Sequence, residues 1–600
     1  MQLPPRIVIV GAGISGLAVA YRLQVRLPDA TITILEQADR PGGTTWTLRD
    51  DGFQVETGPN GFLDTKPTTL TLCRDVGLGT QLVEASQAAG MNRYLFLGDR
   101  LKALPSGLGA FLGTDLLSWR GKLSLLWERF RKKKEGDADE SIDAFARRRA
   151  GNEAADLFAD ALVTGIYAGD PKLLSLPACF PRIAELERVY GSVIKGFAAE
   201  AKKRRAEANA KGVAYEKPGK MWSLPSGLRG LIEAIVAKLK QPPIHGVHVR
   251  SILPSPRGRG AGGEGTNPPT WHIQADGRAA WEADAVVLTC PSYQQTAMLG
   301  EVDPTLAQEI GAIAYNRVVV AALGYRRADV PAALDGFGYI APENTRRDLL
   351  GVQWCSSIYP GRAPAGCVLL RAMAGGWQRP EIVDWDDDRL LHSLRAELRL
   401  AMNITAEPIY HRIIRWSSAI PQYHVGHLQR VARIEDRLKA WPGLWLGGNA
   451  YRGVALNDCT EQGAIIAEQV AAYLQRRILE TAKSANFAEA LYQNEAIRNR
   501  IHSDVVDCSQ LAYELQCANG HKGGQLNISP PEGRDSVTYI DNGELVLGRY
   551  HVVYTDGVFV YDPHWSDSPI PRERYEAEIR RLNGPTVEIS FVKAPPPEES

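Results

Sequence analysis

Ile7-Val8-Ile9-Val10 is an unbroken apolar run closed by Gly11, the pattern of a short strand buried on both faces. Ile14 to Leu23 then carries apolar residues at helical spacing, and Thr31-Ile32-Thr33-Ile34-Leu35 forms a second strand ending on Glu36. Strand, helix, strand in this order predicts a βαβ unit and an α/β fold around a parallel sheet. From 88 to 225 the pattern becomes helix-rich, with charged stretches Arg129 to Lys134 and Lys202 to Arg205. Strand-like runs return at Val247 to Arg250 and Ala285 to Leu288. Between them Pro254 to Pro269 is a Gly/Pro-rich stretch that buries almost nothing and reads as a flexible surface loop. Leu444 to Gly448 is another buried strand, ending in glycines, and the helix Thr460 to Leu474 follows it. After Gln475 come a polar helical stretch, a helix near Cys508, further strands and a Pro/Glu tail. The expected division is 1–87 and 226–477 for the α/β part, 88–225 for an inserted helical part, and 490–594 for a separate C-terminal domain.

Six hundred residues are too many for one ordinary core, which agrees with that division. Lys+Arg and Asp+Glu both number 69, so no general basic field speaks for a nucleic-acid partner. Eight scattered cysteines contain no CxxC pair, which gives no support to a zinc site, a redox dithiol or a disulfide framework. The N-terminus runs straight into a strand, and no apolar run reaches membrane-spanning length. A cytoplasmic protein is expected, with peripheral contact on the inner face of a membrane left open. So is the oligomeric state, a homodimer being one option.

Gly11-Ala12-Gly13-Ile14-Ser15-Gly16 is GxGxxG directly after a strand and opening a helix. Gly11 allows the tight turn, Gly13 lets backbone approach a pyrophosphate, and Gly16 lets helix and strand pack closely. The helix N-terminus offers N–H groups to the phosphates. Glu36, twenty residues past Gly16, is placed to accept from a ribose 2′-OH and disfavours an extra phosphate there. The alternative, a purely structural glycine turn, leaves Glu36 unexplained. The continuation through Arg40, Gly42 and Gly43, E-x3-R-x-GG, resembles the flavin amine oxidase superfamily. That resemblance implies FAD along the second glycine pair, with Gly58, Pro59, Asn60 and Gly61 as a turn beside a flat ring. Ile14, Ser15, Val249, Gly448, Val454, Ala455 and Leu456 complete the implied cofactor set. No second GxGxxG follows residue 220, so the electrons are expected to pass to oxygen and not to NAD(P).

Further segments sharpen the resemblance: Asn92-Arg93-Tyr94-Leu95, Thr164 to Pro171, Ile420-Pro421-Gln422-Tyr423 with Gly426-His427, and Gly448 to Cys459. Over 5–474 the chain resembles oxygen-dependent protoporphyrinogen oxidases. This implies an FAD-binding Rossmann-like domain of amine oxidase type with an inserted helical substrate and membrane-contact domain. The implied reaction is oxidation of protoporphyrinogen IX to protoporphyrin IX, in tetrapyrrole biosynthesis. The cofactor carries that chemistry, and the chain supplies orientation and a dry pocket, so no acid or base is assigned for it. Arg93 is the candidate to hold a substrate propionate, against the reading of an ordinary surface ion pair. Coproporphyrinogen III, with four propionates, is the rival substrate. A flavin amine oxidase is a competing expectation, and so is a non-catalytic flavoprotein presenting the C-terminal domain. Cys459 is read as a buried thiol and not a flavin attachment point, and His424 and His427 as satisfied loop histidines. Leu108 to Phe130, apolar and aromatic beside the basic run to Lys134, fits an interfacial helix as well as it fits a core helix.

The tail carries a different set. Cys508 opens an amphipathic helix, where the dipole can lower a thiol pKa. Gly548 to Tyr554 and Val558 to Pro563 read as strands joined at Asp556-Gly557; a two-residue turn there puts His551 directly opposite Asp562. The segment resembles papain-fold Cys-His-Asp domains of the kind found as toxin modules at the ends of bacterial proteins. Cys508 as nucleophile, His551 as base and Asp562 as orienter follow, with His502 and Gln510 as candidate oxyanion donors. The bland alternative is an α+β accessory domain whose cysteine is buried and inert.

Overall fold

The computed structural model describes residues 4–105, 107–136, 138–210, 219–255, 270–493, 512, 524–530, 536–541, 544–548, 551–555, 559–562, 570–584 and 586–593. The chain divides into one unit built from Met1–Gly258 and Pro268–Ala471 and a second carried by Ala472–Ser600. The Gly/Pro-rich stretch expected to be a loop falls, from 256 to 269, outside the described residues.

The first unit is organised around a four-stranded, wholly parallel sheet in the order Leu444–Leu446, Ala285–Leu288, Arg6–Val10, Thr31–Leu35. Ile7, Ile9, Ala285, Val286 and Val287 are almost completely buried, as expected for strands covered on both faces. The expected helix runs Ile14–Arg26 and the second strand spans Thr31–Leu35 as read. The third sequence strand is displaced: Val249–Pro254, not Val247 to Arg250, enters an antiparallel three-stranded sheet with Trp271–Ala275 and Trp281–Ala283.

A seven-stranded sheet forms the second layer, in the order Tyr410–Trp416, Val318–Arg326, Cys367–Gly375, Gly351–Trp354, Gly338–Ile340, Tyr94–Leu97, Arg100–Ala103. The region 88–225 is therefore not helical throughout. Tyr94-Leu95-Phe96-Leu97 is a short apolar run whose Leu95 and Phe96 are fully buried, so packing makes it a strand paired with Arg100–Ala103. Met221–Ser223 likewise pairs with Phe62–Leu63 and Val83–Glu84. Between these strands the longer helices are Trp119–Leu126, Ile142–Ala150, Asp160–Tyr167, Pro181–Tyr190 and Val193–Ala210. The helix expected at Thr460 begins at Leu456, four residues earlier, and runs to Gln493.

The second unit is an antiparallel five-stranded sheet in the order Ile570–Pro571, Phe559–Tyr561, His551–Thr555, Gly524–Ser529, Glu588–Lys593, with the helix Arg572–Asn583. Leu526, Ile528, Val553, Val560, Tyr575 and Ile579 form its core. Here the expected turn is corrected. Tyr554 pairs with Tyr561 and Thr555 with Val560, so the connection is longer than the two residues Asp556-Gly557 and His551 is not directly opposite Asp562. The register moves by two, which preserves the face of each side chain, and the pair meets diagonally.

Candidate functional site

A cleft of about 580 Å³ opens at the carboxyl ends of the parallel strands, where open α/β sheets bind ligands. Val10, Leu35, Thr289 and Gly448, from the ends of all four strands, line it. Gly11 has φ +105°, and a Cβ there would lie 2.9 Å from the Cys290 nitrogen, so only glycine makes this turn. A Cβ on Gly16 would fall 2.0 Å from the Gly11 carbonyl oxygen; helix and strand touch at that point. Gly13 is the opposite case, for a Cβ on it would meet nothing within 4 Å. The helix begins behind Gly13 with no side-chain cap and no acid in its first turn. Its leading N–H groups and dipole therefore have no anion supplied by their own helix, which is what a diphosphate requires.

The second glycine pair is brought against the first. Gly13 and Gly42 form a parallel bridge, the Gly42 N–H donates to the Ala12 carbonyl at 2.8 Å, and a Cβ on Gly43 would lie 3.6 Å from the Gly13 Cα. Glu36 is fixed by two backbone donors, Ala12 N–H on Oε2 at 2.7 Å and Ala38 N–H on Oε1 at 2.9 Å. Each carboxylate oxygen keeps lone-pair capacity for a ribose hydroxyl. Arg40 also lines the cleft. Its guanidinium donates to the Pro41 and Gly43 carbonyls and lies 4.6 Å from the centre of the Trp46 ring. Burial pulls its pKa below the ordinary value, outweighing the attraction of the nearby Asp39 and Glu36 carboxylates. The residues present fit a dinucleotide carrying a diphosphate.

Of the other residues expected at the cofactor, Ile14, Ser15, Val249 and Gly448 line the cleft. Gly58 lies just behind it: its Cβ position is 2.2 Å from the carbonyl oxygen of Thr44, which lines the cleft. The Trp416 indole, also lining the cleft, donates to the Thr57 carbonyl at 3.0 Å, and the Arg371 guanidinium donates to the Gly58 carbonyl. This loop is anchored by Glu56, which accepts from the Thr47 hydroxyl at 2.8 Å and the Leu228 N–H at 3.0 Å and lies 3.5 Å from buried Arg362. Burial pushes the Glu56 carboxyl up to about 6 despite Arg362. Pro59, Asn60, Gly61, Val454, Ala455 and Leu456 are not part of the cleft lining.

Sequence reading missed Thr44, Thr45, Thr289, Tyr293, Tyr315, Trp416, Ser418 and Ala419 in the lining. Thr289 was within reach, because it ends a recognised buried strand on the ligand-binding edge of the sheet. Trp416 was not, because the long-range packing that brings it there leaves no local pattern.

Cys459 lines the cleft beside Ser15, and burial pushes its thiol up to about 11, so it stays protonated and is a poor nucleophile. Arg93 is exposed, 5.5 Å from the centre of the Phe337 ring, without an ion-pair partner among the described residues and outside the cleft lining. His424 packs edge-on against Trp377, and His427 stacks on Tyr423.

In the second unit, His551 Nε2 and Asp562 Oδ2 are 2.8 Å apart, both residues buried, and the Tyr575 hydroxyl donates to the same carboxylate oxygen at 2.8 Å. The His551 ring stacks on Tyr539 with centroids 4.0 Å apart. Cys508, His502 and Gln510 lie outside the described residues.

Residues 14–471 match the family model of flavin containing amine oxidoreductases. The coproporphyrinogen III oxidase of Bacillus subtilis (strain 168) is 30% identical over 482 residues, covering 78% of this chain and 98% of that protein. The chloroplastic protoporphyrinogen oxidase of Nicotiana tabacum is 32% identical over 487 residues, covering 78% and 86%. A crystal structure named "Putative protoporphyrinogen oxidase from Exiguobacterium sp. 255-15" superposes with TM-score 0.66 at 25% identity, covering 79% of this chain and 99% of that one. Putrescine oxidase superposes with TM-score 0.55 at 15% identity, a likeness of fold. With the glycine cradle, Glu36 and Arg40 in place around the cleft, the chain belongs to the flavin-containing amine oxidoreductase family and is an FAD-dependent oxidoreductase.

Proposed function

We propose that this enzyme oxidises protoporphyrinogen IX to protoporphyrin IX with oxygen as the final acceptor. The observation carrying this reading is similarity at 30–32% identity to porphyrinogen oxidases over nearly their whole length, on a cleft built for FAD. Bound FAD supplies a hydride acceptor that oxygen can regenerate. The chain's own residues have narrower tasks. The N–H groups behind Gly13 and the Arg40 guanidinium hold the diphosphate, Glu36 holds the adenosine ribose, and Thr44 and Trp416 wall the cleft. Arg93, exposed and without an ion-pair partner among the described residues, takes a propionate. The test is an aerobic assay of protoporphyrinogen IX and coproporphyrinogen III side by side, following porphyrin fluorescence and peroxide. Protoporphyrinogen turnover at least about tenfold faster is the expected result, about 1.4 kcal/mol of discrimination. The reverse preference makes this a coproporphyrinogen III oxidase, and no porphyrin from either substrate returns the question to amine oxidation or a non-catalytic flavoprotein.

Peripheral attachment to the inner face of an anionic membrane completes the reading. The stretch expected as one helix is instead Leu108–Gly113, Trp119–Leu126 and a short 3-10 turn Trp127–Phe130; Trp119, Leu123, Trp127 and Phe130 are each more than half exposed, while Leu116 and Leu117 between the two helices are buried. Exposed Arg120, Arg129, Lys132 and Lys133 accompany them. Among the described residues no helix is long and apolar enough to cross a membrane.

For the C-terminal unit we infer a papain-like thiol hydrolase. The supporting observation is the buried His551–Asp562 contact, since a carboxylate accepting from one ring nitrogen fixes the tautomer a general base needs. Cys508 is assigned as nucleophile from its position in the sequence. Cys508→Ala is expected to abolish labelling of this unit by a thiol-directed probe in the full-length protein. Labelling that persists at Cys517 would overturn the assignment.

A further inference from the structure

Two segments singled out in the sequence, 420–427 and 448–451, meet behind the FAD cleft. Tyr423 is fully buried, and its hydroxyl donates to the carbonyl oxygen of Asn449, a residue of the cleft lining. The His427 ring stacks on the Tyr423 ring, centroids 4.0 Å apart and planes 14° from parallel. His427 Nε2 lies 2.9 Å from the Tyr451 carbonyl oxygen. A carbonyl only accepts, so Nε2 carries the proton, and burial pulls the imidazole down to about 4 and keeps it neutral. The Tyr451 hydroxyl in turn donates to Gln295 Oε1, and the amide of fully buried Gln295 donates to the carbonyls of Cys290 at 2.6 Å and Gly447 at 3.1 Å.

These bonds hold the backbone on both sides of Gly448, whose φ of +104° only glycine adopts readily. Carbonyls 447, 449 and 451 are each tied to a buried side chain. Tyr423 also faces the other way: its carbonyl accepts the Ser175 N–H at 2.8 Å, and its ring lies 6.0 Å from that of Tyr167, both residues of the helical segment.

We propose that Tyr423 and His427 are positioning residues that fix the Gly447–Tyr451 backbone, whose Gly448 and Asn449 line the FAD cleft, and tie it to the helical segment around Ser175. Neither side chain lines the cleft, so the effect on the cofactor passes through the backbone they hold. The inference rests on FAD binding and is independent of which substrate is oxidised.

Tyr423→Phe keeps the stacked ring and removes only the hydroxyl; His427→Phe keeps a ring and removes the donor; His427→Gln keeps a donor at the reach of Nε2. Each full-length variant is stripped of cofactor and titrated with FAD, following the visible flavin spectrum, with thermal unfolding of the apoprotein measured in parallel. Tyr423→Phe and His427→Phe are expected to weaken FAD binding about 5- to 20-fold and shift the bound-flavin spectrum, and His427→Gln to recover most of both. Wild-type affinity and spectrum in both phenylalanine variants would overturn the proposal. So would losses that follow apoprotein stability alone across the three variants, His427→Gln included.

Discussion

Gly13→Val is expected to lose FAD while leaving the apoprotein as stable as before, and Gly16→Val to lose both. The two glycines are three residues apart in one turn, but their surroundings differ. Gly13 has φ −68° and ψ 174°, an extended conformation open to any residue, and a Cβ there enters empty space. Valine is therefore tolerated by the chain itself, and its methyl groups occupy the volume in front of the helix N-terminus that the diphosphate needs. At Gly16 the added Cβ meets the Gly11 carbonyl oxygen at 2.0 Å and the Thr289 hydroxyl at 2.6 Å. That hydroxyl already donates to the Val10 and Gly11 carbonyls, so the clash is with fixed backbone and its partner, not with a side chain free to move aside. Overpacking typically costs about 1–3 kcal/mol, and a clash with fixed backbone puts Gly16→Val at the upper end of that range.

FAD titration and apoprotein melting separate the two. For Gly13→Val the dissociation constant is expected to rise at least about 100-fold, a loss of roughly 2.7 kcal/mol, with the apoprotein melting temperature unchanged. Wild-type protein should melt higher as FAD is added, and the variant should not respond. Full FAD retention in Gly13→Val would place the diphosphate elsewhere and remove the basis for reading this cleft as the cofactor site.

How far the sequence alone reached follows from where each signal resides. The first βαβ unit and its glycines were legible because turn geometry and helix–strand contact are local demands on residue type. The second glycine pair was legible by resemblance, and the Gly13–Gly42 bridge shows why it lies close by. Trp416 and Ala419 were not legible, because they reach the cleft from the seven-stranded sheet and its following loop through packing between layers. The strand Tyr94–Leu97 was hidden inside a helix-rich stretch, since four apolar residues carry no period of their own. At His551 and Asp562 the turn was misread but the shared face was right, because a shift of two residues leaves the strand's alternation intact.

The exposed aromatic face depends on a buried ion pair that the sequence did not disclose, and removing one partner is expected to detach that face. Glu128 and Arg149 are 3% and 1% exposed, so neither is solvated. Arg149 Nε donates to Glu128 Oε1 at 2.9 Å, and its remaining donors reach the carbonyls of Arg131, Lys132, Glu128 and Gly191. Glu128 also accepts the Ser192 hydroxyl at 2.6 Å and the N–H groups of Val193 and Ile194, capping the helix Val193–Ala210. The pair thus joins Trp127 and Phe130 to a helix that itself exposes Ile194 and Phe197. Burial alone would raise the Glu128 carboxyl, but the Ser192 hydroxyl and Arg149 outweigh it and hold it below the usual carboxylate range. A depressed carboxyl pKa gives stability that is present at neutral pH and lost as pH falls through the folded value. Arg149→Leu leaves the carboxylate buried and unpaired, at a cost of about 3–5 kcal/mol. Its melting temperature should fall, and binding to anionic vesicles should fall with it. Trp119→Ser with Trp127→Ser separates membrane contact from folding, because both side chains are solvent-exposed. That double variant should keep its melting temperature and lose about 100-fold in vesicle affinity, roughly tenfold for each indole withdrawn from the interface. Undiminished vesicle binding by the folded double variant would mean that this face meets something other than lipid.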